Sequence, residues 1–141
     1  MSKFAASLAV AAVLLSASAI AETAKPTVVL VHGAFADSSS WNGVTRILQK
    51  DGYNVVAAAN PLRSVSGDAA YVSSVVNNIK GPVVLVGHSY GGQVITNAAR
   101  DTNNVKSLVY VAAFAPDAGE AAADLAGKFP SGTLGQALAT P

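Results

Sequence analysis

Val83-Val84-Leu85-Val86-Gly87-His88-Ser89-Tyr90-Gly91-Gly92 passes from an apolar run, through a glycine-flanked serine, into a helical stretch that reaches Arg100. It reads as a strand, a tight turn and a helix, the arrangement that projects a serine hydroxyl from the end of a strand. Such a turn strains the serine backbone and needs small neighbours, so that strand and helix can cross closely. Gly87 and Gly91 meet that need, and Gly92 relieves it further. The helix, with its apolar period Val94, Ile95, Ala98 and Ala99, turns unpaired N–H groups and a positive dipole end toward the serine. Ser89 is the candidate nucleophile, and the Tyr90 N–H a candidate donor to an oxyanion formed beside it.

Three further apolar runs lack period-two alternation: Val28-Val29-Leu30-Val31, Val55-Val56-Ala57-Ala58 and Leu108-Val109-Tyr110-Val111. That pattern suits parallel strands covered on both faces. Helical spacing lies between them, in Trp41, Val44, Ile47 and Leu48 before Gly52, and in Tyr71, Val72, Val75, Val76 and Ile79 before Gly81-Pro82. The alternation predicts an α/β fold, a doubly wound, mainly parallel sheet of about four strands with its functional face at the carboxyl ends of the strands. His32-Gly33-Ala34 and the serine turn both fall at that face. From Pro116 onward the chain turns to Ala, Gly, Asp and Pro, with at most one short helix and no further apolar run.

Met1-Ser2-Lys3, an apolar run from Phe4 to Leu15 and Ala17-Ser18-Ala19-Ile20-Ala21 predict a secretory signal peptide over residues 1–21, cleaved after Ala21. An uncleaved membrane anchor is the alternative. Residues 22–141 are expected to form one partial domain, in which 118–141 begin a cap or an irregular tail. Export means a periplasmic or extracellular location, with no stable membrane anchor after cleavage. The chain carries nine basic and eight acidic side chains. Loss of Lys3 would balance them, and no basic cluster could track a phosphate backbone, which argues against nucleic acid as a partner. With no cysteine and two widely separated histidines, neither a disulfide framework nor a metal site is expected. Gly87 to Gly92 lacks the spacing of a dinucleotide loop, so no cofactor is expected either.

His32-Gly33-Ala34-Phe35, Gly87-His88-Ser89-Tyr90-Gly91-Gly92 and Val109-Tyr110-Val111-Ala112-Ala113-Phe114-Ala115-Pro116-Asp117 together resemble the α/β-hydrolase superfamily, in its methylesterase and hydroxynitrile-lyase-like branch with bacterial relatives. The resemblance covers residues 27 to 127. It implies Ser89 as nucleophile, the backbone N–H groups of Ala34 and Tyr90 as the oxyanion hole, and a structural role for His32 and Gly33 in the oxyanion loop. Phe35, Tyr90 and Phe114, which follow strand ends, are candidates to line a pocket for a small-molecule acyl substrate. Because one branch of the superfamily performs lyase chemistry with the same serine, reaction type follows less directly than fold.

Family members carry an acid and then a histidine after two further strands, following a cap. No histidine follows His88 here. His88 adjoins the nucleophile and should point away from its hydroxyl; His32 would sit on the oxyanion side; Asp117 would have no imidazole to orient. The expectation is an α/β-hydrolase core truncated before its last strands and cap, an esterase-like serine hydrolase that is inactive or very weak as this chain alone. The alternatives are a noncatalytic binding domain and a nonfunctional truncated product. A sheet ending at Val111 would leave an apolar edge open to self-association.

Overall fold

The computed structural model describes residues 25–128. The leader expected over residues 1–21 and the tail beyond residue 128 lie outside the described residues. The four apolar runs form the strands β1 (Thr27–Val31), β2 (Val55–Ala58), β3 (Val83–His88) and β4 (Val105–Val111). Between them run the helices α1 (Asn42–Lys50), α2 (Val65–Asn77) and α3 (Gly91–Ala98), with α4 (Ala122–Gly127) after β4.

All pairings are parallel and the strand order is β2-β1-β3-β4. β1 is therefore flanked by β2 and by β3, with Val31 opposite Gly87. This register brings the loop after β1 beside the turn after β3.

Side chains alternate across the sheet, so each apolar run serves two faces. Val29, Val31, Val83 and Leu85 pack with Val72 and Val76 of α2 and with Val94, Ile95 and Ala98 of α3. Val28, Leu30 and Val86 face the other way and pack with Trp41, Leu48 and Tyr53. The second face is the thinner one. Of the helical residues expected to cover it, Val44 is 40% and Ile47 63% exposed, and a cavity of about 590 Å³ lies among Val28, Leu30, Trp41, Val44, Leu48, Val84, Val86 and Val111. Two helices close the first face, whereas among the described residues the second cluster draws only on α1 and its flanks.

Element ends differ from the expectation where side-chain chemistry outweighs hydrophobic period. Trp41 belongs to a 3-10 turn (Ser38–Trp41), because Asp37 accepts the Ser39 N–H and starts the chain winding before α1. α2 starts six residues before Tyr71, at a cap in which the Ser64 hydroxyl accepts the Gly67 N–H at 3.1 Å. α3 stops at Ala98 and continues only as a 3-10 turn, Ala99–Asp101. β4 begins three residues before its apolar run, since Lys106 and Ser107 sit on a strand largely open to solvent. Gly52 closes α1 with φ 81°, which only glycine adopts freely, whereas α2 ends at Asn77 with Asn78 as its cap, so Gly81, at φ 90°, turns the chain toward β3 and does not stop the helix.

Candidate active site

Ser89 follows β3 directly and has φ 52°, a left-handed conformation uncommon for a non-glycine residue. Holding it there costs on the order of 1–3 kcal/mol, which the surroundings must offset. They do so by crowding and by hydrogen bonds. The Ser89 carbonyl accepts from the Gly92 N–H at 3.0 Å and the Phe114 N–H at 3.3 Å, while the Ser89 N–H donates to Val111 at 3.4 Å. The end of β4 thus braces the turn.

The glycines are required by contact. A β-carbon on Gly87 would come 2.5 Å from the Gly91 carbonyl oxygen, and one on Gly91 would come 2.5 Å from that of Val31. One on Gly92 would overlap the Phe114 carbonyl oxygen. In each case the obstacle is backbone, which cannot step aside. α3 can therefore begin directly over the ends of β1 and β3 only without side chains at these positions.

The loop after β1 closes on the same point. A β-carbon on Gly33 would lie 3.1 Å from Ser89 Cβ and 3.1 Å from His88 Nδ1. Ala34 and Tyr90, the residues after Gly33 and Ser89, border one cavity of about 390 Å³ together with Leu62, Arg63, Ser64 and Val65. Among the described residues neither the Ala34 nor the Tyr90 N–H donates to a backbone or side-chain acceptor. Both N–H groups are therefore left without a described acceptor at the border of this cavity, next to the Ser89 turn.

The histidines point elsewhere. His32 is only 2% exposed, and its Nδ1 stands 2.9 Å from the Gly33 carbonyl. A carbonyl only accepts, so Nδ1 carries the proton and ties the ring to the loop after β1. The His88 ring meets Trp41 edge-on, with centroids 6.3 Å apart. No hydrogen bond joins either ring to the Ser89 hydroxyl among the described residues. Phe35 is 79% exposed and Phe114 half-buried, and neither borders the 390 Å³ cavity. Asp117 is exposed, and its N–H donates to Glu120 Oε2 at 2.9 Å. No group of three or more potential metal ligands occurs among the described residues.

Two features were not anticipated. The loop Leu62–Val65 forms a wall of the cavity, and Leu62 is itself left-handed at φ 58°. Asp68 is fully buried: its Oδ2 accepts the Tyr90 hydroxyl at 2.8 Å and its Oδ1 accepts the Arg63 N–H at 3.1 Å. Burial, and then the hydrogen bond and charge of Asp68, raise the Tyr90 phenol well above its ordinary range, so it stays a donor. The signal was present in the spacing, since Asp68 stands four and eight residues before Val72 and Val76 on the buried stripe of α2.

Comparison with known proteins agrees with the fold. The model of the alpha/beta hydrolase family matches residues 28–140. A carbendazim-hydrolysing esterase from a Nocardioides species is 33% identical over 105 residues, which are 65% of this chain and 43% of that protein. An extracellular alpha/beta-hydrolase from a Paenibacillus species, described as sharing structural and functional homology with tobacco salicylic acid binding protein 2, superposes with a TM-score of 0.66 at 25% identity, over 79% of this chain and 49% of its own. A pyrethroid hydrolase from Sphingobium faniae superposes with a TM-score of 0.57 at 25% identity, over 62% and 40%. The chain spans less than half the length of each of these relatives.

Proposed function

The chain belongs to the alpha/beta hydrolase family, and from that premise we propose that it carries the nucleophile and oxyanion hole of a serine hydrolase acting on carboxylic esters or related acyl substrates. One observation carries the proposal: Ser89 is held at φ 52° at the start of α3, near two backbone N–H groups that have no acceptor among the described residues. Glycine would relieve the strain at this position but would remove the hydroxyl, which suits a residue retained for its side chain. Further support comes from the esterase and hydrolase named among the relatives.

In this mechanism the Ser89 Oγ attacks the acyl carbon and its proton passes to a general base. The carbonyl oxygen becomes an oxyanion received by the Ala34 and Tyr90 N–H groups, which together supply several kcal/mol of transition-state stabilisation, at about 3 kcal/mol per donor. The intermediate collapses with cleavage of the bond to the leaving alcohol, which takes the proton from the base. Water then releases the acid from Ser89. Neither histidine described above fits the base, because His32 is tied to Gly33 and His88 is turned to Trp41. We assign that role, and its acidic partner, to the part of the whole protein equivalent to the regions of the relatives that this chain does not span.

The test is labelling with a fluorophosphonate and turnover of 4-nitrophenyl esters by the whole protein. Both should vanish in Ser89→Ala; turnover that persists there would refute the assignment. A noncatalytic binding domain is the second reading, favoured by a Ser89 hydroxyl that no described side chain engages. It requires ligand binding that survives Ser89→Ala, with neither labelling nor turnover in the wild type. Export is proposed too, and N-terminal sequencing of the mature protein should then read from Glu22.

A further inference from the structure

We infer that Asp68 is a positioning residue that sets both the oxyanion donor after Ser89 and the facing wall of the substrate cavity. This inference rests on the hydrolase reading and extends it to a residue that touches neither substrate nor nucleophile.

The geometry is a bracket. Asp68 lies in the first turn of α2 without solvent access, and its two oxygens face two different parts of the cavity border. Oδ2 accepts the Tyr90 hydroxyl at 2.8 Å, and Oδ1 accepts the Arg63 N–H at 3.1 Å. Tyr90 owns the backbone N–H beside Ser89, and its ring packs against the main core. Arg63 belongs to the segment, with left-handed Leu62, that borders the same cavity.

A buried carboxylate is costly unless its acceptors are engaged, and both oxygens here are used. The side chain therefore has one arrangement that satisfies it, and this arrangement pins the Tyr90 ring and the Arg63 backbone to the same helix. The Tyr90 N–H shares its peptide plane with the Ser89 carbonyl, which the Gly92 and Phe114 N–H groups hold from one side, and the pinned Tyr90 side chain fixes the Cα on the other. An oxyanion hole works because its donors are fixed before charge develops, and small misplacements are expensive.

Asp68→Asn keeps the shape but retains only one acceptor oxygen, while Tyr90→Phe removes the same bond from the other side. Both variants, and the double variant, are compared with wild type in the second-order rate of Ser89 labelling by a fluorophosphonate, with melting temperature read in parallel. Each single variant should label about tenfold more slowly, and the double variant no more slowly than the slower single. Tyrosinate absorbance, taken as the difference from Tyr90→Phe, should show Tyr90 ionising at lower pH in Asp68→Asn than in wild type. A folded Tyr90→Phe that labels at the wild-type rate, or single effects that multiply in the double variant, would overturn the positioning role while leaving Ser89 as nucleophile. Absence of Ser89 labelling in the wild type would overturn the nucleophile and the positioning role together.

Discussion

Gly33 stands so close to Ser89 that a β-carbon added to it would lie 3.1 Å from the Ser89 Cβ, where the loop after β1 meets the turn after β3. The neighbour on the other side, His88 Nδ1, would be equally near. Gly33→Ala must therefore push the loop after β1 outward by a few tenths of an ångström. Expected is a loss of about tenfold or more in the rate of Ser89 acylation, since donor placement governs oxyanion stabilisation. Stability should change much less, because Ala34 and Phe35 beyond it are exposed and free to move. Acylation at the wild-type rate by a folded Gly33→Ala would show that this loop does not serve the reaction.

Gly92 has no such freedom. A β-carbon there meets the Phe114 carbonyl oxygen and comes 2.9 Å from the Ala113 side chain, at the point where β4 braces the turn. Gly92→Ala should cost about 1–3 kcal/mol or more through overpacking. Denaturant unfolding would measure it, and a midpoint equal to the wild type would contradict the contact.

Strain at Ser89 separates two substitutions that both remove the hydroxyl. Glycine accepts φ 52° freely, whereas alanine keeps the β-carbon that opposes it. Ser89→Gly should be more stable than Ser89→Ala by about 1 kcal/mol, even after the larger backbone entropy of unfolded glycine is counted. If Ser89→Ala is as stable as Ser89→Gly, the turn is not strained in the folded protein.

The Tyr90 phenol sets a pH dependence at the alkaline end. Its folded pKa is raised above the ordinary value of about 10 by burial and by Asp68, so the folded state holds the proton more tightly than the unfolded state. The associated stability is fully present below about pH 10 and declines as pH rises through the ordinary phenol range toward the raised value. Tyr90→Phe should therefore flatten the fall in melting temperature between about pH 9.5 and 11. Parallel curves for the two proteins would mean that Tyr90 is not coupled to the fold.

β4 is paired only with β3 among the described residues, and Val109, Tyr110 and Val111 are 41%, 36% and 41% exposed. For the protein comprising these residues, Val109→Lys should reduce self-association seen by sedimentation velocity, because an inserted charge opposes edge pairing. Unchanged association would place the contact elsewhere.

Much of this was legible in the sequence because it depends on near neighbours in the chain. Continuous apolar runs announced the parallel strands, which are buried in β1 and most of β3 but, against expectation, largely exposed in β4, and the Gly87-to-Gly92 pattern located the turn and its serine. Asp68 escaped notice for the opposite reason: in isolation it is an acidic residue in a first helical turn, where such residues commonly sit facing solvent to complement the dipole. Only its place on the stripe of Val72 and Val76 hinted at burial, and its partner Tyr90 is remote in sequence.

By itself the sequence determined which segments become strands and helices, where the chain must turn on glycine, and which serine the turn projects, since these follow from local spacing and backbone sterics. The tertiary structure alone decided that β1 lies between β2 and β3, which sets Gly33 and Ala34 against Ser89. It also decided that Asp68 joins Tyr90 to Arg63, and that α1 leaves part of one sheet face open. Those outcomes depend on how distant segments share buried volume and satisfy one another's polar groups, and no single stretch of chain encodes them.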